Sequence, residues 1–523
     1  MSFPLPARRA KVEIALPPAD FHAPHKWRSE LLNAGYRLPQ DRAVATLIHN
    51  HLLGSSPKEQ RLVVASVGWH GDAFVLPNLP SRQGARVILF QGGQAGRVAC
   101  FGKNGTLGDW KRHVAEPAAH SSRLVLSIAL AFAAPLLRFT RFDSCGLHLE
   151  GPSSKGKTTC LLAATSVSGR PDRRELLTWD ATKAALSETA MGHNDCLMCI
   201  DELANTEGNS AAVAQRMREV AYMLASGRGR LRSSVYGTSF NLKDARWRVL
   251  FLSTGEKAIS TLAREANVDR LKGELVRLVD VPALASPGLG IYESLPDTVA
   301  SPAAFGSDRV GVSTALRARV PGVPQQARRE PRLSLPGKVE ALVERFMTGA
   351  RAPQDGWERR FARPFALSFA AGKLAIRWGI VPWKSTTVGR SMQACYIAAR
   401  KLVPDAQELL EQGIQMLRSR LQRGEGVLDL LRQGTKTMWT AEQAKAAEIF
   451  ACGTPTAGRH FLIKPAAFES WFPPAQRDVV LAWLERSGHL IKDERRGVRT
   501  LQAQIKGIEG RGRYYALKAT LLQ

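Results

Sequence analysis

The sequence predicts an α/β protein with a phosphate-loop core, and three neighbouring segments carry that prediction. Residues 146–150 are typical of a short strand, residues 151–158 complete the pattern GxxxxGK(S/T), and the residues from Thr159 onward are typical of a helix. A strand, a glycine-containing loop and a helix N-terminus direct backbone N–H groups and the helix dipole toward a phosphate. This order therefore predicts a site for a nucleoside triphosphate.

We assign binding of ATP to the whole loop and the first helical residues. These residues are Gly151, Pro152, Ser153, Ser154, Lys155, Gly156, Lys157, Thr158 and Thr159. Lys157 is expected to reach the β- and γ-phosphates, and the Thr158 hydroxyl is expected to hold Mg²⁺.

A second segment, about 40 residues later, supports the same site. Residues 196–200 are five apolar residues, followed by Asp201 and Glu202. Such a run is typical of a buried parallel strand with carboxylates at its C-terminal end. We expect Asp201 to bind the nucleotide's Mg²⁺ and Glu202 to polarise the water that attacks the γ-phosphate. Lys157 and Glu202 are thus predicted to be catalytic, and the chain to be an ATP hydrolase.

Composition points to an anionic partner. The chain has 523 residues, enough for about three domains, and its 73 Lys and Arg exceed its 46 Asp and Glu by 27 charges. An excess of this size favours nucleic acid, although a coding bias toward Arg and Ala gives the same composition. We find no acceptor-site motif for a small-molecule kinase, and the charge argues against one.

The cysteines and the apolar stretches predict a cytoplasmic protein without a membrane partner. Seven scattered cysteines suit a reducing compartment, and Cys196 and Cys199 lie on the predicted strand, where residues three apart face opposite sides. The apolar stretch 124–137 is too short to span a bilayer, and the N-terminus lacks the apolar core of a signal peptide.

Changes in composition and in the expected secondary structure divide the chain into six predicted segments. They are a loose N-terminus (1–25), a β-rich domain with a linking helix (26–140), the ATPase core (141–284), a linker (285–334), a helical region broken at Pro353, Pro364 and Pro382 (335–470), and a winged-helix-like domain (471–523).

Two further groups of residues surround the next core strand. Residues 227–243 contain two β-prone runs around a turn, which predicts a hairpin with four cations for nucleic-acid binding: Arg228, Arg230, Arg232 and Lys243. The strand 246–255 then carries two hydroxyls near its end, Ser253 and Thr254, either of which would be a polar sensor of the γ-phosphate. Thr254 is the one assigned to catalysis.

Seven ordered strings, at residues 68–70, 74–77, 151–158, 200–202, 221–227, 252–256 and 276–282, resemble the domain of unknown function 927. This resemblance covers residues 25–290 and implies a ring-forming, AAA+-like ATPase similar to superfamily 3 and minichromosome-maintenance helicases. It implies a hairpin that contacts DNA and an arginine donated to the neighbouring subunit's ATP. Arg277, at the start of the last core strand, is the first choice for that arginine; Arg264 and Arg270 are alternatives.

The resulting prediction is an ATP-dependent helicase or translocase in phage or plasmid replication. It would act on single-stranded or forked DNA as a homo-oligomeric ring, with a primase or initiator as a further partner. The alternative is an ATP-switched DNA-binding or regulatory protein that does not unwind DNA.

Overall fold

The computed structural model describes most of the chain outside the N-terminus and residues 296–333. The described residues are 20, 22–33, 41–54, 61–64, 66–77, 81–83, 86–90, 101–102, 105–169, 171–201, 210–229, 246–266, 270, 272–295, 334–350, 352, 356–403, 406–424, 426–430, 439–454, 458–493, 496–505 and 508–522.

The chain forms two compact units. The first unit comprises Met1–Asn205, Val220–Glu256 and Val276–Tyr396, and the second comprises Thr206–Glu219, Lys257–Leu275 and Ile397–Gln523.

The α-helices of four or more residues within the described residues are α1 (Pro24–Asn33), α2 (Arg42–Gly54), α3 (Leu107–Trp110), α4 (Ser122–Ala133), α5 (Lys157–Thr165), α6 (Lys183–Gly192), α7 (Ser210–Ser226), α8 (Ile259–Glu265), α9 (Lys272–Leu275), α10 (Ser334–Gly349), α11 (Gly356–Arg377), α12 (Ser385–Lys401), α13 (Ala406–Arg423), α14 (Ala441–Ala446), α15 (Pro465–Trp471) and α16 (Pro474–Arg486). The strands are β1 (Arg61–Val64), β2 (Gly68–His70), β3 (Ala73–Val75), β4 (Ser81–Gln83), β5 (Arg86–Phe90), β6 (Cys145–Glu150), β7 (Leu177–Thr178), β8 (Leu197–Asp201), β9 (Leu250–Gly255), β10 (Leu278–Pro282), β11 (Val427–Asp429), β12 (Ile449–Thr454), β13 (Gly458–Ile463), β14 (Leu490–Ile491), β15 (Leu501–Ala503) and β16 (Gly512–Lys518).

A five-stranded parallel sheet forms the centre of the first unit, in the order β10-β6-β9-β8-β7. Because all five strands run the same way, their C-terminal residues meet at one edge. Strand β9 lies between β6, which leads into the phosphate loop, and β8, which ends in Asp201. The three central strands, β6, β9 and β8, are almost wholly buried, which explains the continuous apolar runs in their sequences.

Helix α4 is the most buried helix of this unit. Ser121 caps its N-terminus by accepting a hydrogen bond from the Leu124 N–H, and every residue of Ser122–Ala133 is buried. By length and composition, Ser122–Phe139 is apolar enough to cross a membrane, but 89% of it is buried inside the protein. It is therefore a core helix of the first unit.

The structure differs from the predicted segments in three places. The β-rich segment begins with two helices, α1 and α2, before its short strands. Helix α11 runs through Pro364 without a break, because burial of the flanking Phe361 and Phe365 offsets the cost of an internal proline, about 3 kcal/mol. Strands β12 and β13 also lie inside the stretch predicted to be helical.

The second unit contains a six-stranded sheet in the order β11-β12-β13-β16-β14, with β15 also paired to β16. Helices α13, α15 and α16 cover one face through a core that includes Phe468, Phe472 and Leu484. The chain leaves α16 through Gly488 in a left-handed conformation and continues into β14, β15 and β16.

Candidate active site

The phosphate loop lies at the C-terminal edge of the parallel sheet, between β6 and α5. Gly156 caps α5 with φ +96°, in the region that favours glycine, and a Cβ atom there would lie 2.8 Å from Ile291 Cδ1. Ser154 also has a positive φ, of 59°. Residues 152–155 are exposed and Lys157 is half-buried, so the loop tip faces solvent while the lysine faces the protein.

The Lys157 ammonium lies within the loop that precedes it. Its Nζ donates to the carbonyl oxygens of Gly151 and Pro152 at 2.7 and 2.8 Å. Burial lowers the pKa of Lys157, while the nearby carboxylates of Glu256, Asp201 and Glu150 act in the opposite direction. Three carboxylates therefore lie close enough to favour the charged form of this lysine.

Three of the predicted site residues meet directly in one cluster. The Thr158 hydroxyl lies 3.2 and 3.5 Å from the two Asp201 carboxylate oxygens, and the Thr254 hydroxyl donates to Asp201 Oδ1. Asp201 is 4% exposed and Thr254 is 1% exposed. The cluster exists because β9 lies between β6 and β8, which brings its last residues between the phosphate loop and the acidic end of β8.

The two hydroxyls at the end of β9 face opposite sides of the sheet. Ser253 is fully buried and its Oγ lies 2.8 Å from Nδ1 of His148, on the neighbouring strand β6. Thr254 faces Asp201 instead. Of the two candidate sensors in the sequence, the structure therefore brings Thr254, and not Ser253, to the phosphate loop.

A carboxylate that the sequence did not single out also lies at this edge. Glu150 is the last residue of β6, directly before the loop, and is half-buried. Burial raises the pKa of Glu150, the nearby Asp280 raises it further, and Lys157 lowers it. Sequence reasoning missed Glu150 because its residue type at a strand end is common and its environment depends on β10.

The segment after β10 forms hydrogen bonds with both the phosphate loop and the start of α4. The Ile291 N–H donates to the Lys155 carbonyl at 3.2 Å, and the Glu293 carboxylate accepts from the Ser122 N–H at 2.8 Å, at the start of α4. Residues 285–295 are therefore packed, and their assignment to a linker was wrong. The prediction failed because a stretch rich in Pro, Ser and Gly lacks periodicity, although Ile291 and Tyr292 are 1% and 2% exposed.

Several predicted residues lie outside the described part of the chain. They are Glu202, Arg230, Arg232 and Lys243. Of the predicted hairpin, only residues 227–229 are described, and Arg246 is the first described residue beyond its C-terminal end. Arg228 and Arg246 form an antiparallel bridge, and the Trp247 N–H donates to the Gly227 carbonyl at 3.0 Å. Arg228 is exposed.

Arg277 lies at the N-terminal ends of the parallel strands, whereas the phosphate loop lies at their C-terminal ends. Its carbonyl accepts from the Gly146 N–H at the start of β6, and its guanidinium lies 4.2 Å from the centre of the Tyr222 ring. Four residues of strand separate Gly146 from Glu150, roughly 13 Å. The other two candidates, Arg264 and Arg270, belong to the second unit.

Both cysteines of the predicted strand are buried: Cys196 directly precedes β8 and Cys199 lies in it. Across the described residues there is no group of three or more His, Cys, Asp or Glu side chains arranged to hold a metal ion. The Thr158–Asp201 pair, a hydroxyl beside a carboxylate, offers oxygen donors of the kind that Mg²⁺ prefers.

Residues 9–244 match the family described as "Domain of unknown function (DUF927)". The chain contains a DUF927 domain. The match confirms the resemblance predicted from the sequence and takes in the phosphate loop, Asp201 and the segment 227–243. The strings at 252–256 and 276–282 lie beyond the matched residues. No curated protein matches the chain.

Among solved structures, the chain is similar to one described as "SCCmec type IV Cch - active helicase". The two share 15% sequence identity with a TM-score of 0.61, and the match covers 96% of this chain and 88% of that chain. At this identity the likeness shows the fold. The fold thus extends well beyond the DUF927 domain, over nearly the whole chain.

Proposed function

We propose that this protein is an ATP-dependent DNA helicase or translocase that acts in the replication of a mobile element. The observation that carries the proposal is the cluster of Thr158, Asp201 and Thr254 beside the phosphate loop. The fold shared with a helicase of a mobile element and the excess of 27 positive charges support it.

The described residues fit ATP and Mg²⁺. The left-handed Gly156 at the start of α5 leaves the first N–H groups of that helix without a side-chain cap, so they are available to phosphate oxygens. Lys157 would exchange its two carbonyl partners for phosphate, and Thr158 and Asp201 would hold the Mg²⁺ that neutralises charge on the phosphates.

Within this proposal, water attacks the γ-phosphate in line with the leaving group. Glu202, the residue that follows Asp201, would orient that water, and Thr254 would donate a hydrogen bond near the γ-phosphate. Thr254 lies on β9 and donates a hydrogen bond to Asp201. Hydrolysis of the nucleotide would therefore change the contacts made by the end of β9. This strand begins shortly after the predicted DNA-binding hairpin.

We further propose that the subunits form a ring in which Arg277 acts on a neighbour's ATP. Arg277 lies at the far edge of its own sheet and so does not serve its own phosphate loop. Mixing Arg277→Ala with Lys157→Ala subunits should therefore restore part of the turnover that each lacks alone. Mixtures as inactive as their components would contradict a role for Arg277 in trans.

The remaining assignments belong to the same proposal. The AAA+ character of the core, the winged-helix character of residues 471–523, the domain boundaries, a cytoplasmic location and a primase or initiator partner all stay predictions. We call the stretch from β14 to β16 the wing. Its cations Lys492 and Arg499 pair with Glu485 on α16, which lowers the positive charge that this surface offers to duplex DNA.

Strand displacement separates the proposal from its rival. The full chain, ATP, Mg²⁺ and a forked duplex with one fluorescent strand should release that strand, whereas Glu202→Gln should bind the fork and ATP without releasing it. A wild-type protein that hydrolyses ATP and binds the fork, yet displaces no strand, would support the regulatory switch instead.

A further inference from the structure

A groove runs along helix α13 in the second unit and passes Trp483, near the C-terminal end of α16. The two helices lie close together because α13 carries Gly413 at the contact, where a Cβ atom would lie 2.4 Å from Val480 Cγ2 of α16. Gln476 Nε2 on α16 also donates to the Leu409 carbonyl at 3.1 Å. The groove has a volume of about 610 Å³, and close packing of the two helices fixes its shape.

Part of the groove wall is apolar. Leu410 and Ile414, one turn apart on α13, line it together with Trp483. All three are partly buried side chains packed against the core of the unit, so each keeps some apolar surface open to solvent. An indole ring held in this way is suited to stack with another flat ring.

A second flat ring already lies against Trp483. The centre of the His489 imidazole is 5.4 Å from the centre of the Trp483 ring, and the two planes differ by 29°. The Lys518 N–H donates to the His489 carbonyl at 2.9 Å, and His489 Nδ1 lies 3.2 Å from the Thr520 hydroxyl oxygen. Burial lowers the pKa of His489, and the nearby cations Arg418 and Lys518 lower it further, so the imidazole is neutral at pH 7.

Two cations thus flank the aromatic pair. Arg418 lines the groove from α13, and Lys518 is exposed at the end of β16. Arg418 Nε donates to the Leu521 carbonyl at 2.8 Å, a neutral partner that an anion can join without breaking an ion pair. Glu411 also lines the groove, but it lies two turns before Arg418, roughly 10 Å along α13. The aromatic pair therefore lies at the positive end of the groove.

We infer that this groove binds single-stranded DNA, with one base stacked on Trp483 and the adjoining phosphates at Arg418 and Lys518. Sites for single strands combine aromatic rings, on which bases stack, with cations that follow the backbone. A protein helix would need a groove that is apolar throughout, whereas this one has two cations beside its aromatic pair. The inference rests on the proposed function only in naming DNA as the partner.

The first test measures binding of the full chain, without nucleotide, to fluorescent oligothymidine and to an abasic strand of the same length. Both strands carry the same phosphates, so only the bases distinguish them. The wild type should prefer oligothymidine, and Trp483→Leu should reduce this preference about fivefold or more, the lower end expected for one stacked base. Trp483→Phe, which keeps a flat ring, should keep most of it. Trp378→Leu changes a partly exposed tryptophan of the first unit; as the matched control it should keep the whole preference.

The second test concerns the phosphates and uses an exposed residue on which folding does not depend. Lys518→Gln should flatten the log–log dependence of oligothymidine binding on salt by roughly 0.7, the loss of one phosphate contact. Lys445→Gln removes the same charge from an exposed position on α14 and should leave the slope unchanged. Photocrosslinking with an oligothymidine that carries one 5-iodouracil should label Trp483 or His489 in the wild type.

Thermal melts of all variants identify a temperature at which each is folded. An unchanged base preference in Trp483→Leu at that temperature, an equal loss in Trp378→Leu, or an unchanged salt slope in Lys518→Gln would overturn the inference. Binding of a protein segment in the groove would appear as the first of these results. None of them touches the proposed function, which strand displacement by the wild type tests separately. A wild type that displaces no strand, yet shows the base preference at Trp483, would contradict the helicase and keep this site.

Discussion

The C-terminal edge of the parallel sheet, beside the phosphate loop, and the wing of the second unit both contain charged side chains. The cations at these two places differ in the partners to which they donate hydrogen bonds. At the sheet edge, Lys157 has backbone carbonyls as its hydrogen-bond partners, and three carboxylates act on it from nearby. In the wing, Lys492 and Arg499 are exposed and pair with one carboxylate, Glu485.

This difference distinguishes a cation whose hydrogen-bond partners are neutral from cations that are already paired with a carboxylate. Lys157 can exchange neutral carbonyl partners for phosphate without breaking an ion pair. The two wing cations must give up Glu485 before they contact a phosphate of DNA. Net charge alone, on which the sequence argument for nucleic acid partly depends, does not distinguish these two cases.

The largest effect expected at the sheet edge concerns the two hydroxyls of β9. Thr254→Val should lower ATP turnover about 10–100-fold, since a hydrogen bond to a charged group is worth about 1.5–3 kcal/mol. Ser253→Ala removes only the bond to His148 and should leave turnover near wild type, at a stability cost of about 1 kcal/mol. Steady-state turnover and denaturant unfolding measure the two effects. Equal losses of turnover in the two variants would contradict the conclusion that Thr254, and not Ser253, acts at the phosphate loop.

A smaller effect is expected from freeing the wing cations. Glu485→Gln removes the shared partner of Lys492 and Arg499, so duplex DNA should bind more tightly. The log–log dependence of affinity on salt should steepen by roughly 0.9 for each additional DNA phosphate that the wing neutralises. Glu442→Gln, on helix α14, changes the net charge equally and is the control. If both variants bind duplex DNA alike in a salt titration, the wing is not the surface that binds it.

The smallest effect is a dependence of stability on pH at Glu150. Burial raises the pKa of this residue in the folded chain, so its ionised form is disfavoured there. Its favourable contribution is complete below the unfolded pKa of about 4.3 and is lost as pH rises through the folded value. Glu150→Gln should therefore raise the melting temperature slightly at pH 7–8, with the increase shrinking toward pH 4. An increase that grows on acidification would have the wrong sign.

The cluster beside the phosphate loop could be predicted from local motifs, whereas contacts between distant segments could not be predicted from the sequence. The phosphate loop and the β8 strand each depend on a few adjacent residues, so spacing and polarity sufficed to place Lys157, Thr158 and Asp201. The choice between Ser253 and Thr254 required the order of the strands, because that order places the Thr254 hydroxyl beside Asp201 and the Ser253 hydroxyl beside His148.

Other features depend on packing between distant segments, which no local sequence pattern predicts. The segment 285–295 is ordered by the phosphate loop and the start of α4, so its composition alone suggested a linker. Pro364 lies in a helix because Phe361 and Phe365 are buried on either side of it. The Asp195–Arg248 pair joins residues 53 positions apart, and neither residue type is unusual where it stands.

The measurement that tests the central claim most directly is calorimetric titration of the full chain with a slowly hydrolysed ATP analogue, with and without Mg²⁺. The wild type should bind the analogue more tightly with Mg²⁺, Thr158→Ala should lose that Mg²⁺ dependence, and Lys157→Ala should bind about 10–100-fold more weakly. Binding by Lys157→Ala that equals the wild type would contradict a nucleotide site at this edge of the sheet.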